Sequence, residues 1–286
     1  MPRDTGFPRA DVENDFLRVR RREVLARLAH RLRREPDDVN VILPYDDVIA
    51  AVGYEGERRL GLRTIRLDAV VGTVDSARDF DRRFRPTSAR VRERWEQLAL
   101  AQRKGAPMPP IDVYKVGDMY FVRDGHHRVS IALANAETTI DAYVTDVRTL
   151  VPVRSINTPA DLLYRSFERV FMLRVPLAPP ARAKITVSDP WSYAELGEAV
   201  EAWGYRYMQL ERRFCDREEI ARRWFADEYT PVVRMLRDAD LLGDGTETEA
   251  YMRVASERYR LIRTHEWNDE VIRRLQADLK PRRRRA

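Results

Sequence analysis

The chain has 286 residues, 44% hydrophobic and 34% charged, which is too apolar for wholesale disorder and enough to bury a core as one large or two ordinary domains. No run approaches the roughly 20 apolar residues that cross a bilayer, and MPRDTGFPRADVENDF lacks the apolar centre of a signal peptide, so a cytoplasmic protein with no membrane partner is expected. The net charge of +6 invites a nucleic-acid partner, and the single cysteine, Cys215, excludes an internal disulfide and a cysteine-rich zinc site.

In chain order, DVENDFLRVRRREVLARLAHRLR places Phe16, Val19, Val24, Leu25, Leu28 and Leu32 at mostly three- and four-residue spacings, which predicts an amphipathic helix with an arginine-rich outer face. LPYDDVIAAV reads as a short helix with Pro44 near its start, and GYEGERRLGLR as a turn-rich link. TIRLDAVVGTV has the β-branched alternation of a strand, and SARVRERWEQLALAQR returns to helical spacing. In PPIDVYKVGDMYFVRDGHH two β-rich runs flank VGD, a hairpin signal; RVSIALANA is then helical and TTIDAYVTDV a strand. From Thr158 onward the chain is read as mostly helical, broken by a strand-like AKITVS after the proline-rich VPLAPPAR, which is the best candidate boundary, with a helix start at Ser188-Asp189-Pro190 and Cys215 on a helix face in ERRFCDREE. The aromatics Trp191, Trp203, Tyr205, Tyr207, Trp224, Phe225 and Tyr229 read most simply as core.

Charge is unevenly placed. From Val271 onward seven basic residues face one acid, so this tail alone carries +6, the whole excess of the chain; Asp189 to Glu270 holds 12 Arg against 19 acids. An exposed KPRRRRA attracts phosphate backbones without sequence specificity, or is a solvated terminus. The acidic stretch before it offers no obvious recognition helix.

The segment with the most chemistry is DGHHR, residues 124–128, between MYFV and VSIALANA. A strand that passes through Asp-Gly into a helix leaves free N–H groups at the first helical turn, and such an end attracts anions. Gly125 permits φ > 0, and Asp124 caps the turn or holds a neighbouring histidine. His126, His127 and Arg128 then stand beside those N–H groups, Arg128 offering a planar fork to phosphate and the histidines a proton shuttle near neutral pH. The competing reading is a tight polar bend. No His, Cys or carboxylate stands nearby at zinc spacing, so no metal ligands are assigned.

The order TIRLDAVVGTV…DFDRRF…RWEQLALAQRKGAPMPPIDVYKVGDMYFVRDGHHRVSIALANAETTIDAYVTDV resembles the ParB/sulfiredoxin superfamily over about residues 62–147. PPIDVYKV matches the strand after the family's first helix, MYFVRDGHHRVSIALA stands in the place of its Gly-Glu-Arg-Arg box, and the wording DGHHR is closest to the free serine kinase branch. The resemblance implies that the turn binds nucleotide phosphates. No cysteine occupies the position that is reactive in sulfiredoxins, which argues against sulfinic-acid reduction. GERR at residues 56–59 repeats the letters of the ParB box but precedes the first strand and is taken as coincidence on a solvated link. The loop GTVDSARDFDRRFRP corresponds to a region that approaches the nucleotide and, in the kinases, supplies a carboxylate; Asp75, Asp79 or Asp81 would act as that base, with Arg78 reaching phosphate, although the kinases' glutamate has no recognisable counterpart here.

The expectation is therefore an α+β protein: a helical arm and link over 1–61, a ParB/sulfiredoxin-like mixed α/β domain over 62–150, a mostly α-helical C-terminal domain over 151–280, and a basic tail over 281–286. The first functional reading is a regulatory protein that binds a nucleotide (CTP, ATP or ADP, with or without Mg²⁺) through Asp124, Gly125, His126, His127, Arg128 and Arg78. The second is a serine-type small-molecule kinase with Asp75, Asp79, Asp81 and His127 as catalytic residues. The third is a DNA-binding partition or transcription regulator that uses the Arg-rich first helix and the tail. A homodimer is compatible with any of them.

Overall fold

The computed structural model describes residues 5–33, 42–75, 79–153, 156, 159–262 and 273. The fold is α+β and divides into two compact units, residues 1–166 and 167–286. Most of the predicted elements of the first unit are present: α1 (Pro8–Leu32), α2 (Tyr45–Val52), α3 (Arg92–Arg103), the hairpin β4 (Ile111–Val116) and β5 (Met119–Asp124), α4 (His126–Ala134) and β6 (Thr139–Thr149).

Two strand readings change. Residues 54–66 form one long strand, β2, where a turn-rich link was expected over most of that span, and TIRLDAVVGTV is not a single strand: a 3₁₀ turn at Leu67–Ala69 separates β2 from β3 (Val70–Thr73). Together with the two-residue β1 (Leu43–Pro44) these make a six-stranded sheet in the order β1-β3-β5-β4-β6-β2. β2 therefore lies at one edge and β3 near the other, and the 3₁₀ turn lets the chain leave its partner β6 and cross to β5. The link reading failed because β2 looks outward almost everywhere. Its charged and glycine-containing sequence is that of an edge strand whose ladder shifts register between Tyr54 and Gly56 and again between Arg59 and Gly61, a device that blunts open edges. Glu57, Arg58 and Arg59 of GERR are exposed on this strand.

Period-2 alternation sends side chains to two cores. On one face Ile111, Val113, Val122, Ala142 and Val144 pack under Val129 and Ala132 of α4, with Phe84 from the loop after β3. On the other, Val116, Met119, Phe121 and Val147 pack with Val48, Ala51 and Val52 of α2. A third cluster joins α1, α3 and α4 through Val12, Phe16, Val19, Trp95 and Ile131, reinforced by a Trp95 Nε1–H hydrogen bond to Ser130 Oγ at 3.0 Å and by Arg103 pairing with Asp11 and Asp15. The α1 expectation holds only for its first half: Phe16 and Val19 are buried, whereas Val24, Leu25, Leu28 and Leu32 are exposed, because the packing against α3 ends near Val19.

The second unit is helical: the end of α5 (Pro159–Arg174), the short α6 (Pro179–Arg182), α7 (Ser192–Glu211), α8 (Arg217–Arg223), a π-helical turn at Trp224–Tyr229, α9 (Thr230–Asp238) and α10 (Glu247–Ile262). Pro231, which lacks an N–H and crowds the carbonyl four residues back, accounts for the widened turn just before it. AKITVS forms no strand. The Thr186 and Ser188 N–H groups are met by Thr248 Oγ1 and Glu249 Oε1, so the segment needs no ladder; the Ser188 hydroxyl, with the Thr246 and Ser188 N–H groups, holds the Glu249 carboxyl down at about 2. Cys215 is buried between α7 and α8 and not on a helix face. Of the aromatics expected as core, Trp224 and Tyr229 are fully buried with Tyr251, Trp203, Tyr207 and Phe225 are half-buried, and Trp191 and Tyr205 are exposed. The 281–286 tail lies outside the described residues.

Candidate functional site

β3 and β5 run parallel and adjacent, with Thr73 opposite Val122, so their carboxyl ends open on one edge of the sheet. In open sheets that contain parallel strands this edge is where ligands meet the loops. β3 exits into the loop before α3, and β5 exits through Gly125 directly into α4. Gly125 adopts φ +106°, and a Cβ there would lie 2.5 Å from Ile111 Cγ2, so the turn requires glycine both for its backbone conformation and for close packing on β4.

No side chain caps α4. Its first helical hydrogen bond runs from Val129 N–H to Gly125 C=O at 3.0 Å, so the N–H groups of His126, His127 and Arg128 form the open first turn, the positive end of the helix dipole. His126 is buried. Its Nε2 lies 2.5 Å from Oγ1 of the fully buried Thr73, and its ring stacks on Phe80 and tilts against Phe84. Burial pushes its pKa down, partly opposed by the negative charges of Asp124, Asp75 and Asp79.

His127 stands edge-on to Phe80, with ring centres 5.4 Å apart. Its Nδ1 is buried and has no hydrogen-bond partner among the described residues. Burial, with the positive charge of Arg94 and the neighbouring His126, pushes its pKa down to about 4. At neutral pH the ring is therefore uncharged, with a buried nitrogen that no described residue satisfies and that a ligand or water would.

The remaining candidates separate. The Arg128 guanidinium does not extend over the helix end; it donates to the carbonyls of Pro109, at 2.8 Å, and Pro110, at 2.5 Å, and pairs with Asp124, bracing α4 against the segment that leads into β4. Asp81 is buried and accepts from the N–H groups of Arg83 and Arg85 at 3.0 and 2.8 Å and from Arg85 Nε at 2.7 Å, so it organises its own loop. Asp75 is exposed and Asp79 half-buried; the charges of both act on His126, and that of Asp79 also on His127. Arg78 lies outside the described residues.

The structure thus gathers Asp75, Asp79, Gly125, His126 and His127 at one edge and turns Arg128 and Asp81 to bracing work. Sequence reasoning passed over Thr73, Phe80, Phe84 and Arg94. The spacing of Phe80 and Phe84 in DFDRRF was a usable signal, since two large apolar residues four apart in a charged loop imply an inward-facing side. Among the described residues no three His, Cys, Asp or Glu side chains converge as a metal site. None of the protein-family models and none of the curated proteins compared with the chain matches it.

Proposed function

We propose that this chain is a ParB-like nucleotide- or phosphate-binding protein with a regulatory role, in which the uncapped first turn of α4 receives phosphate oxygens. One observation carries the reading: the buried, unpartnered Nδ1 of His127 lies in the same first turn as the open N–H groups of residues 126–128. A polar ring placed without a protein partner beside the positive end of a helix suits an anion with several acceptor oxygens. Gly125 brings the backbone close, and the neutral state of the histidines avoids the cost of two buried charges in the free protein. Arg128 contributes by holding the turn in shape, and Arg94, whose charge reaches His127, supplies the cation.

The site suits phosphate, and a nucleotide's Mg²⁺ would sit between its phosphates and one or two carboxylates, for which Asp75 and Asp79 are the neighbours available. That placement favours a second reading, phosphoryl transfer to a small hydroxyl compound with Asp75 or Asp79 as base. Asp81, occupied by three donors, does not serve there.

The test is a set of thermal melts with CTP, ATP, ADP and GTP, each with and without Mg²⁺. A ligand bound by the native state alone at about 100 times its Kd adds roughly 2.7 kcal/mol, a readable shift. A selective shift that disappears in His127→Ala supports the reading; parent and variant melts unmoved by every nucleotide and by inorganic phosphate overturn it. Release of phosphorylated product from serine-like acceptors would select the kinase reading.

A further inference from the structure

Past Val19 the packing of α1 against α3 ends, and a cleft of about 1000 Å³ opens between α1 and the sheet unit. One wall is Ala26 and Ala29 of α1, whose small side chains leave the space open; the other is Leu67, Val70, Val71 and Leu133. This volume is at the upper end of the roughly 300–1,000 Å³ of small-molecule sites. The cleft's apolar walls run along the carboxyl half of α4, away from the first turn of that helix.

One mouth of the cleft is strongly positive. The loop after β3 brings Arg82, Arg83 and Arg85 to it, and Arg22 of α1 joins them. Arg85 is committed to Asp81 and donates to the Arg22 carbonyl at 3.0 Å, which ties the loop to α1 and fixes the mouth. Arg22 and Arg83 are exposed. The carboxylate lining the cleft, Asp68, is already paired with Arg66, so it does not cancel them. Among the described residues no carboxylate pairs with the Arg22 or Arg83 guanidinium, and apolar walls that end in these two cations complement one kind of molecule, an apolar body carrying an anionic head.

We infer that this cleft binds an amphiphilic anion, with a carboxylate or phosphate head at Arg22 and Arg83 and an alkyl or aryl body along Ala26, Ala29, Val70 and Leu133. The inference is independent of the nucleotide reading, because none of these residues belongs to the first turn of α4.

The experiment is calorimetric titration of the full chain with octyl phosphate and octanoate below their micelle concentrations, beside inorganic phosphate and octanol. Saturable one-to-one binding of at least one amphiphile is expected, with head alone and tail alone each about tenfold weaker or more. Ala29→Trp, at a half-buried site that tolerates bulk, fills the cleft and abolishes binding, and Arg83→Glu weakens it about tenfold, by like-charge repulsion of the head. Both variants keep the parent circular dichroism, and Ala26→Trp repeats the blocking test at a second position. The inference is overturned if no amphiphile saturates, if octanol or inorganic phosphate binds as well as octyl phosphate, or if folded Ala29→Trp and Ala26→Trp bind like the parent.

Discussion

At the scale of single residues, the turn at 124–128 is built from positions with opposite tolerances. Gly125 is fixed by its φ of +106° and by Ile111 beneath it, so Gly125→Ala should lose about 2–4 kcal/mol, the sum of a left-handed backbone cost and an overpacked contact, measured by urea unfolding. Arg128→Ala should lose about 1–3 kcal/mol, because the Pro109 and Pro110 carbonyls are left without their donor. This differs from the sequence reading, in which Arg128 offered its planar fork to phosphate and not to the backbone. His127 gives a pH signature. Its native pKa of about 4 lies below the usual 6.5, so the unfolded chain binds more protons between these values and stability rises with pH across that window. His127→Gln should flatten the rise, seen as a melting temperature that changes less between pH 4 and 6.5 than the parent's.

Among the elements, those that announced themselves did so through local chemistry. The hairpin was legible because VGD interrupts two β-branched runs, and α4 because Asp-Gly ends a strand where helical spacing begins. β2 was hidden because an edge strand with bulges and charges carries the same residues as a loop, and only its ladder with β6 distinguishes them. The second half of α1 misled in the opposite sense: its leucines have helical spacing, yet among the described residues no element covers them. The turn of the candidate site could be read from residues 124–128, but not the Pro109 and Pro110 carbonyls that take the Arg128 guanidinium, because they lie 19 and 18 residues away in sequence and meet it only in the folded chain. The α3–α4 join is testable at the same scale: Trp95→Phe keeps most of the buried surface and breaks the bond to Ser130, for an expected cost of about 1–2 kcal/mol by chemical denaturation.

For the molecule as a whole, charge separates the functional readings. Three of the seven arginines on α1 are paired, Arg18 with Asp15 and Arg20 and Arg27 with Glu23, so these three contribute less to an open basic face than the count suggests. The sequence places a further +6 in the last residues, from Val271 onward. If phosphate recognition belongs to α4, deleting residues 280–286 should leave the nucleotide response of the melt unchanged, while any duplex DNA binding should weaken and lose part of its salt dependence. A nucleotide response that disappears with the tail would assign phosphate binding to nonspecific charge.

The claim that a phosphate sits against His127 is tested most directly by following its imidazole resonances through a pH titration, with and without saturating nucleotide. A phosphate at the first turn of α4 stabilises the protonated ring, so the pKa should rise well above its free value of about 4, and by linkage the nucleotide should bind more tightly as pH falls toward the raised value. A nucleotide that saturates the protein and leaves the His127 titration where it was would contradict the account.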